Sequence, residues 1–461
     1  MRAPALLLAT TVALAGCATA PLPALAPPAP AQWRHALPVG PPPTDLHGWW
    51  REFHDPQLDA LVDRALVDNL SVARAVERLR AARTLWLHAD NHYRPQLAAR
   101  TDNAVDYSAG TSYLVGGFDA SWEFGFFGRS AASGRVARGE LESTAAELEE
   151  VRVTLVGDIV ADWLTLGAAH ERSAVLAQIR DQRQLRLEAL RTRERLGLAT
   201  SLQIAEAESA MARSGVALLD VQQEVDAHAQ QLALLLGRSE PEAPWLLSGQ
   251  LPHLDDWSLR ETPADLLRTR PEIRRAEAAV VRAAGEAGLA RAELLPSVGI
   301  SGTLQWATDL GHTSPRHGTQ ISAIGPVVDI PLFDWGSRLA RSRADTFQLQ
   351  ASVLAYREAV LEGVAETETA LGNLQRRHEQ EMLEAGALSA AERASAIVAR
   401  RVELKLASPI DEQLAAIGRH QAQLEFLNAR AARGIAYVAL FKALGGAPRP
   451  PAGPQADAML P

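Results

Sequence analysis

The two halves of this 461-residue chain repeat one another at constant spacing, and no other feature restricts its possible folds as much. Residues 69–72 followed by Pro95 match residues 270–273 followed by Pro296 at an offset of 201. Beyond the first strand the offset becomes 208, because the second half carries seven more residues between its two strand candidates. It stays 208 from WEFGFFG (122–128) on IPLFDWG (330–336), through LGLATS (196–201) on LKLASP (404–409), to Leu236 and Gly237 on Leu444 and Gly445. A duplicated unit of helix, two strands, long helix, turn and helix accounts for the pattern.

Proline marks where helices are permitted. None lies between Gln96 and Glu240, and between Leu332 and Ala447 only Pro409 does, so Pro409 is read as a turn. With 47% hydrophobic but only 5% aromatic residues, the apolar mass is mostly Ala, Leu and Val, which favours helices over a compact β core. In the first long segment Leu141, Leu148, Val151, Leu155, Ile159, Trp163 and Leu166 form a helical stripe, read as a buried face. Residues 129–196 make roughly 100 Å of helix at 1.5 Å per residue, far more than a globular domain requires. The returning segment, 201–237, covers about half that distance. One entering helix over about 56–93 supplies the rest, so the two shorter helices are expected to stack end to end beside the long one.

Between these helices lie segments of a different period. In SVGISGTLQWAT (297–308) the residues Val298, Ile300, Gly302, Leu304 and Trp306 alternate with Ser297, Gly299, Ser301, Thr303 and Gln305, giving a strand with one apolar and one polar face. A turn-rich loop (311–320) and a return strand ending at Leu332 follow, and the first repeat carries a weaker pair at 96–107 and 112–124. Aromatic residues gather at the strand ends, including Tyr93, Tyr107, Trp122, Phe124, Phe126, Phe127, Trp306, Phe333 and Trp335. They suit either a membrane-interface girdle or packing at a strand-to-helix junction. No stretch after residue 20 offers about 20 consecutive apolar residues, so no membrane helix is expected in the mature chain. A β-barrel stays open to it. Four strands cannot close one, and a bilayer tolerates no unpaired edge, so two copies would have to supply eight strands or three copies twelve.

The first fifty residues carry an address. MRAPALLLATTVALAGC (1–17) has one early Arg2, an apolar run over 5–15 and small residues before the single cysteine, which is the layout of a secretory signal. LAGC at 14–17 resembles a bacterial lipobox. Residues 1–16 are therefore expected to be removed and Cys17 to be lipidated, an essentially permanent anchor. Ala18, rather than Asp, follows the cysteine, which in lipoproteins of this type points to the outer membrane. Nine prolines between Pro21 and Pro43 make the next segment an extended spacer. It can reach on the order of 70 Å at about 3.1 Å per residue.

Several kinds of chemistry lack their residues. Lys+Arg 46 against Asp+Glu 55 gives a net charge of −9, the only lysines are Lys405 and Lys442, and no basic patch for nucleic acid is present. A lone cysteine excludes an intramolecular disulfide framework and a CxxC redox pair. There is no GxSxG, Walker loop, HExxH or GxGxxG, so hydrolase and nucleotide readings have no starting point. His88 and His92 are spaced i, i+4 without a third ligand and are read as exposed helix-end residues. No enzyme activity, cofactor or metal is expected.

The lipobox, WWREFHDPQLDALVDRAL (49–66), the paired strand-end Trp/Phe-Gly motifs, RPEI (270–273), LLPSVGISG (294–302) and the two hairpin turns together resemble the TolC-type outer-membrane factor family. Within it they are most similar to the NodT-like and OprM-like efflux lipoproteins, over about residues 45–446. The resemblance implies a mainly α chain with a membrane β-barrel. It implies a homotrimer in which a twelve-stranded outer-membrane barrel joins a periplasmic α-helical barrel. The implied partners are a periplasmic adaptor, an inner-membrane transporter and outer-membrane lipid. The expected division is a signal peptide (1–16), a lipid-anchored proline-rich segment (17–55), a first repeat (56–237), a linker (238–262), a second repeat (263–446) and a tail (447–461).

Two groups of residues carry functional expectations under that resemblance. Leu196, Gly197, Leu198, Ala199 and Thr200, and likewise Leu404, Lys405, Leu406, Ala407 and Ser408, match the turns where the family meets adaptor hairpins. Gly197 fits the left-handed residue such a turn needs, whereas Lys405 replaces it in the second repeat. Many relatives place a carboxylate just beyond the second turn to ring a periplasmic constriction. The repeat alignment puts Glu206 there in the first half and Leu414 in the second, with Asp411 and Glu412 nearby and Arg419 as a candidate partner; these carboxylates suit either such a ring or, more commonly for their type, ordinary solvated positions on a helix. Three functions fit these expectations: a passive export conduit for small molecules, a duct for type I protein secretion, and a lipid-anchored coiled-coil scaffold without a channel.

Overall fold

A computed structural model describes residues 22–25, 30–35, 44–106, 111–254, 257–259, 269–309 and 319–448. Cys17, most of the proline-rich spacer, Tyr107, residues 311–318 of the turn-rich loop and the 449–461 tail lie outside the described residues. Helices α1 (Pro56–Asp68) and α2 (Leu70–Leu87) lead to strands β1 (Gln96–Asp106) and β2 (Thr111–Phe124). The long helix α3 (Arg129–Arg195) and its return α4 (Ser201–Leu235) follow, then a short helix α5 (Ala243–Leu247). The order recurs as α6 (Pro271–Ala292), β3 (Ser297–Asp309), β4 (Thr319–Asp329), α7 (Ser337–Glu403) and α8 (Pro409–Ala443).

In the helical hairpins the duplication holds to the residue. Helices α3 and α7 are each 67 residues long, and α4 and α8 are each 35. Backbone exceptions repeat as well: the left-handed residues Phe127 and Gly128 correspond to Trp335 and Gly336, Gly197 to Lys405, and Gly237 to Gly445. The entering helix departs from the expectation of one run over 56–93. It is interrupted at Asn69, whose backbone is extended (φ −67, ψ 126), and ends in a 3-10 turn at Ala89–Tyr93. Asn69 makes the interruption useful, since its Oδ1 accepts from the N–H groups of Ser71 (2.8 Å) and Val72 (3.0 Å) and so caps α2.

Two compact units emerge from the contacts. One comprises Met1–Pro27, Arg78–Ala146 and Glu272–Ala359 and holds the sheet. Its four strands are antiparallel in the order β1-β2-β3-β4, and among the described residues one edge of β1 and one edge of β4 have no partner. The register sorts side chains by face. Leu97, Ala99, Phe118, Trp122, Ile300, Leu304, Trp306 and Ile324 lie on one side, and Arg100, Asp119, Ser121, Ser301, Thr303 and Gln305 on the other. The apolar side is bare: Leu97 is 73% exposed and Ile324 84%. The return strand stops at Asp329, short of the expected Leu332, because β3 begins at Ser297 and offers residues 330–332 no partner. In this unit α3 and α6 approach through two glycines. A Cβ at Gly139 would lie 2.6 Å from the Arg282 nitrogen, and one at Gly285 2.7 Å from the Val136 nitrogen.

The other unit comprises Pro28–Glu77, Glu147–Pro271 and Val360–Pro461 and is helical. Within it the chain just before α2 and just before α6 is bonded to the end of a returning helix, at neighbouring positions in the two repeats. Asn69 Nδ2 donates to the Leu235 carbonyl at the end of α4 (2.8 Å), and Thr269 Oγ1 donates to the Leu444 carbonyl after α8 (3.2 Å). Aromatic residues fix the chain before α1 to α8: Trp49 stacks on Phe441 at 5.5 Å, Phe53 meets Tyr437 edge-on at 5.5 Å, and the Tyr437 hydroxyl donates to the Trp49 carbonyl at 3.1 Å. On α3 the stripe residues Leu148, Leu155, Ile159 and Leu166 are buried, but so are Val153, Val156, Val160 and Leu164. The helix is buried on more than one side, which a single stripe understates. Among the described residues no helix is long and apolar enough to cross a membrane.

Candidate functional site: the paired hairpin turns

Both helical hairpins turn by the same construction. After α3, the Gly197 N–H donates to the Glu194 carbonyl (2.8 Å) and the Leu198 N–H to the Arg193 carbonyl (2.8 Å), with Gly197 at φ 71. After α7, Lys405 and Leu406 donate to Val402 (2.9 Å) and Arg401 (2.7 Å), with Lys405 at φ 60. This is the Schellman closure, which satisfies the last carbonyls of a helix. The returning helices then open in capping boxes. Thr200 and Gln203 exchange bonds of 3.0 and 3.3 Å, and Ser408 and Asp411 do so at 2.8 and 3.3 Å, with Pro409 at the start of α8. Each five-residue turn is thus fixed from both ends.

Lys405 therefore holds the conformation that glycine holds in the first repeat. A side chain in the left-handed region costs about 1–2 kcal/mol, part of which is offset by the smaller entropy loss of a non-glycine residue on folding. Lys405→Gly is expected to stabilise the second turn by up to about 1 kcal/mol, read as slower amide exchange over residues 404–408. Gly197→Ala is expected to do the reverse at 196–200, and no difference at either turn would contradict the strain argument.

The two turns meet. Ile410 at the start of α8 packs with Ala199 and Ile204 against a buried cluster of Leu187, Leu190 and Ala207. Around that shared base Leu196, Leu198, Leu202, Leu404 and Leu406 stand outward, each between 54% and 68% exposed. Apolar side chains presented together on a rigid tip are what a protein-docking surface offers. Leu202 belongs to this patch although it lies outside the expected turn, and its signal was the leucine run that continues past Thr200.

The carboxylates beyond the turns are separate. Glu206, Asp411 and Glu412 are all exposed, and Asp411 is committed to its own cap. Arg419 does not join them; its Nη2 lies 3.0 Å from Nε2 of the buried His420. Hydrogen bonds from the Ser408 hydroxyl and N–H hold the Asp411 carboxyl below the usual carboxylate range, with the Arg401 and Arg193 guanidinium charges adding to the effect. Because the folded value is the lower one, this contribution is complete above the usual carboxylate range and is lost as pH falls through the folded value. The first turn has uncharged Gln203 in the same place. Acidification is therefore expected to loosen residues 404–412 and leave 196–204 unchanged in pH-corrected amide exchange, and Asp411→Asn to abolish the difference. Equal loosening of both turns would count against it.

No metal chemistry assembles: among the described residues no group of three or more His, Cys, Asp or Glu is placed to hold an ion. His88 Nδ1 sits 2.7 Å from the Thr84 carbonyl, and His92 Nε2 3.5 Å from Glu123. One contact had no sequence signal. Glu368 on α7 accepts from the N–H groups of Arg34 and His35 and lies 2.8 Å from His35 Nδ1, so part of the N-terminal spacer is tied to the helical unit.

The family model for outer membrane efflux proteins matches residues 61–238 and 262–446, most of the chain. This chain belongs to the outer membrane efflux protein family. It is an efflux protein of the outer membrane and not an enzyme. The pyoverdine export outer membrane protein OpmQ of Pseudomonas aeruginosa is 28% identical, covering 95% of this chain and 96% of its own. Nodulation protein T of Rhizobium leguminosarum bv. trifolii is 25% identical over 71% and 72% of the two chains. Among solved structures the outer-membrane channel OprN superposes with a TM-score of 0.79 at 24% identity, covering 92% of this chain and 99% of that one, which establishes the shared fold.

Proposed function

We propose that the chain works as a homotrimer in which three four-stranded sheets close one twelve-stranded barrel, continuous with a periplasmic α-helical barrel. This tube is a passive conduit that exports small molecules across the outer membrane. The sheet carries the argument, with two open edges and one bare apolar face. An apolar face wants lipid, but in hydrocarbon each unpaired backbone group costs several kcal/mol. Further copies of the same chain, each bringing the same two edges, satisfy both demands at once.

Other assignments follow from that reading. Residues 56–237 and 263–446 are the two repeats, joined by 238–262, and Cys17 carries the lipid that holds the proline-rich segment in the outer membrane. The leucine-bearing turns at 196–200 and 404–408 receive a periplasmic adaptor, which connects the tube to an inner-membrane transporter. That transporter supplies the energy, since the chain has no nucleotide motif of its own. Glu206, Asp411 and Glu412 ring the periplasmic end. Small-molecule export is favoured over protein secretion because the family description is efflux and a full-length relative is named for pyoverdine export. Full-length protein reconstituted in planar bilayers is expected to show stepwise conductance once its periplasmic end is opened. Absence of conductance under every opening treatment would contradict the conduit.

A further inference from the structure

The duplication predicts how one copy meets the next, residue by residue. Within the chain, the first hairpin maps onto the second without error when β1 is advanced by 201 and β2 by 208. Leu97↔Ala120 becomes Val298↔Val328, and Gln96↔Ser121 becomes Ser297↔Asp329. The junction between repeats, β2 with β3, has no counterpart in one chain, because its equivalent would pair β4 with a strand in the place of β1. Applying the same offsets to the β2–β3 register supplies that missing junction. Ser121↔Ser301 becomes Asp329↔Arg100, Trp122↔Ile300 becomes Ile330↔Ala99, and Phe124↔Val298 becomes Leu332↔Leu97.

We infer that the free edge of β4 pairs antiparallel with β1 of a neighbouring copy in this register, with Asp329 opposite Arg100 of that copy. The inference rests on the multi-copy barrel proposed above and specifies its seam. Two observations that played no part in the mapping agree with it, the charges and the exposure of the residues it opposes. The two residues it places opposite each other on the polar face carry opposite charge, and both are exposed in the single chain. Opposed charges across strands are stabilising, and a slip of two residues separates them. Leu332 and Leu97, 90% and 73% exposed, cover one another on the apolar face. As a consequence of the mapping, residues 330–332 become strand, as their first-repeat counterparts 122–124 already are beside β3. A slip of one residue would turn the apolar face of β4 inward and is excluded on that ground.

Cys17 is the only native cysteine and is taken up by the lipid in this account, so paired substitutions read the seam cleanly. In full-length protein in outer membranes, Ala99→Cys with Ile330→Cys is expected to form disulfide-linked multimers on mild oxidation, and Leu97→Cys with Leu332→Cys is an independent second pair. Directly opposed Cβ atoms lie about 4.5–5.5 Å apart, close enough to bridge with slight adjustment, whereas diagonal ones lie about 7–8 Å apart. Ala99→Cys with Val328→Cys should therefore cross-link at least about fivefold less. Asp329→Arg alone should reduce multimer yield, and Arg100→Asp added to it should restore it. Preferential cross-linking of the 99/328 pair overturns the register while leaving the multi-copy barrel intact. No intermolecular cross-link from any pair, in protein that remains monomeric by mass, overturns both.

Discussion

Trp49→Ala is expected to destabilise the helical unit by about 3–5 kcal/mol, the range for removing a large buried aromatic side chain. Trp49 is 1% exposed and lies against Trp50, Tyr437 and Phe441, the last two also nearly inaccessible. Tyr437 donates to its backbone carbonyl, and Trp257 meets Tyr437 at 5.6 Å, so the cavity left behind would be walled by rings that belong to different segments and cannot collapse together. The effect reaches beyond stability. This contact fixes the segment that leads into α1, in which Thr44 and Leu46 are also buried, and its loss should release residues 44–53 from α8. The measurement is the denaturant midpoint of helical circular dichroism with amide exchange over 434–443; a shift below about 1 kcal/mol would mean that the segment merely lies on the surface.

The second large effect concerns the pair Arg433–Glu381. Arg433 Nη1 lies 3.0 Å from Glu381 Oε2, joining α8 to α7, and each side chain is only 11% exposed. Removing either partner leaves a charge out of water without its counter-charge. Glu381→Ala or Arg433→Ala should therefore cost about 3–5 kcal/mol, whereas Glu381→Leu with Arg433→Met should be roughly neutral or stabilising, because taking two ions out of water offsets most of their attraction. The double variant is decisive. If it were as unstable as the single ones, loss of packing and not an orphaned charge would explain them.

Much of this architecture was legible in the sequence because its punctuation is local. Helix ends are set by residues such as Gly197, Pro409 and the Gly128/Gly336 pair, and the repeat offset carries each end from one half to the other. The turns expected to dock a partner could be located for the same reason. What escaped was set by tertiary context. Lys405, Phe127 and Trp335 adopt left-handed backbone although their side chains disfavour it, because the duplicated fold requires a left-handed residue there. Asn69 interrupts a helix whose hydrophobic period continues through it. The valines of α3 join the core because helices with neighbours on several sides lose a clean stripe. Arg433–Glu381 and His35–Glu368 link residues distant in the chain, and no spacing rule connects them.

The strand edges allow a different kind of test, because they are incomplete in one chain and the account depends on what completes them. The most direct measurement is the mass of the full-length protein extracted intact from outer membranes, taken by native mass spectrometry after the detergent is stripped. The account predicts a single species of three mature chains. A species of one chain, with β1 and β4 exchanging their amide hydrogens freely along their outer edges, would contradict it.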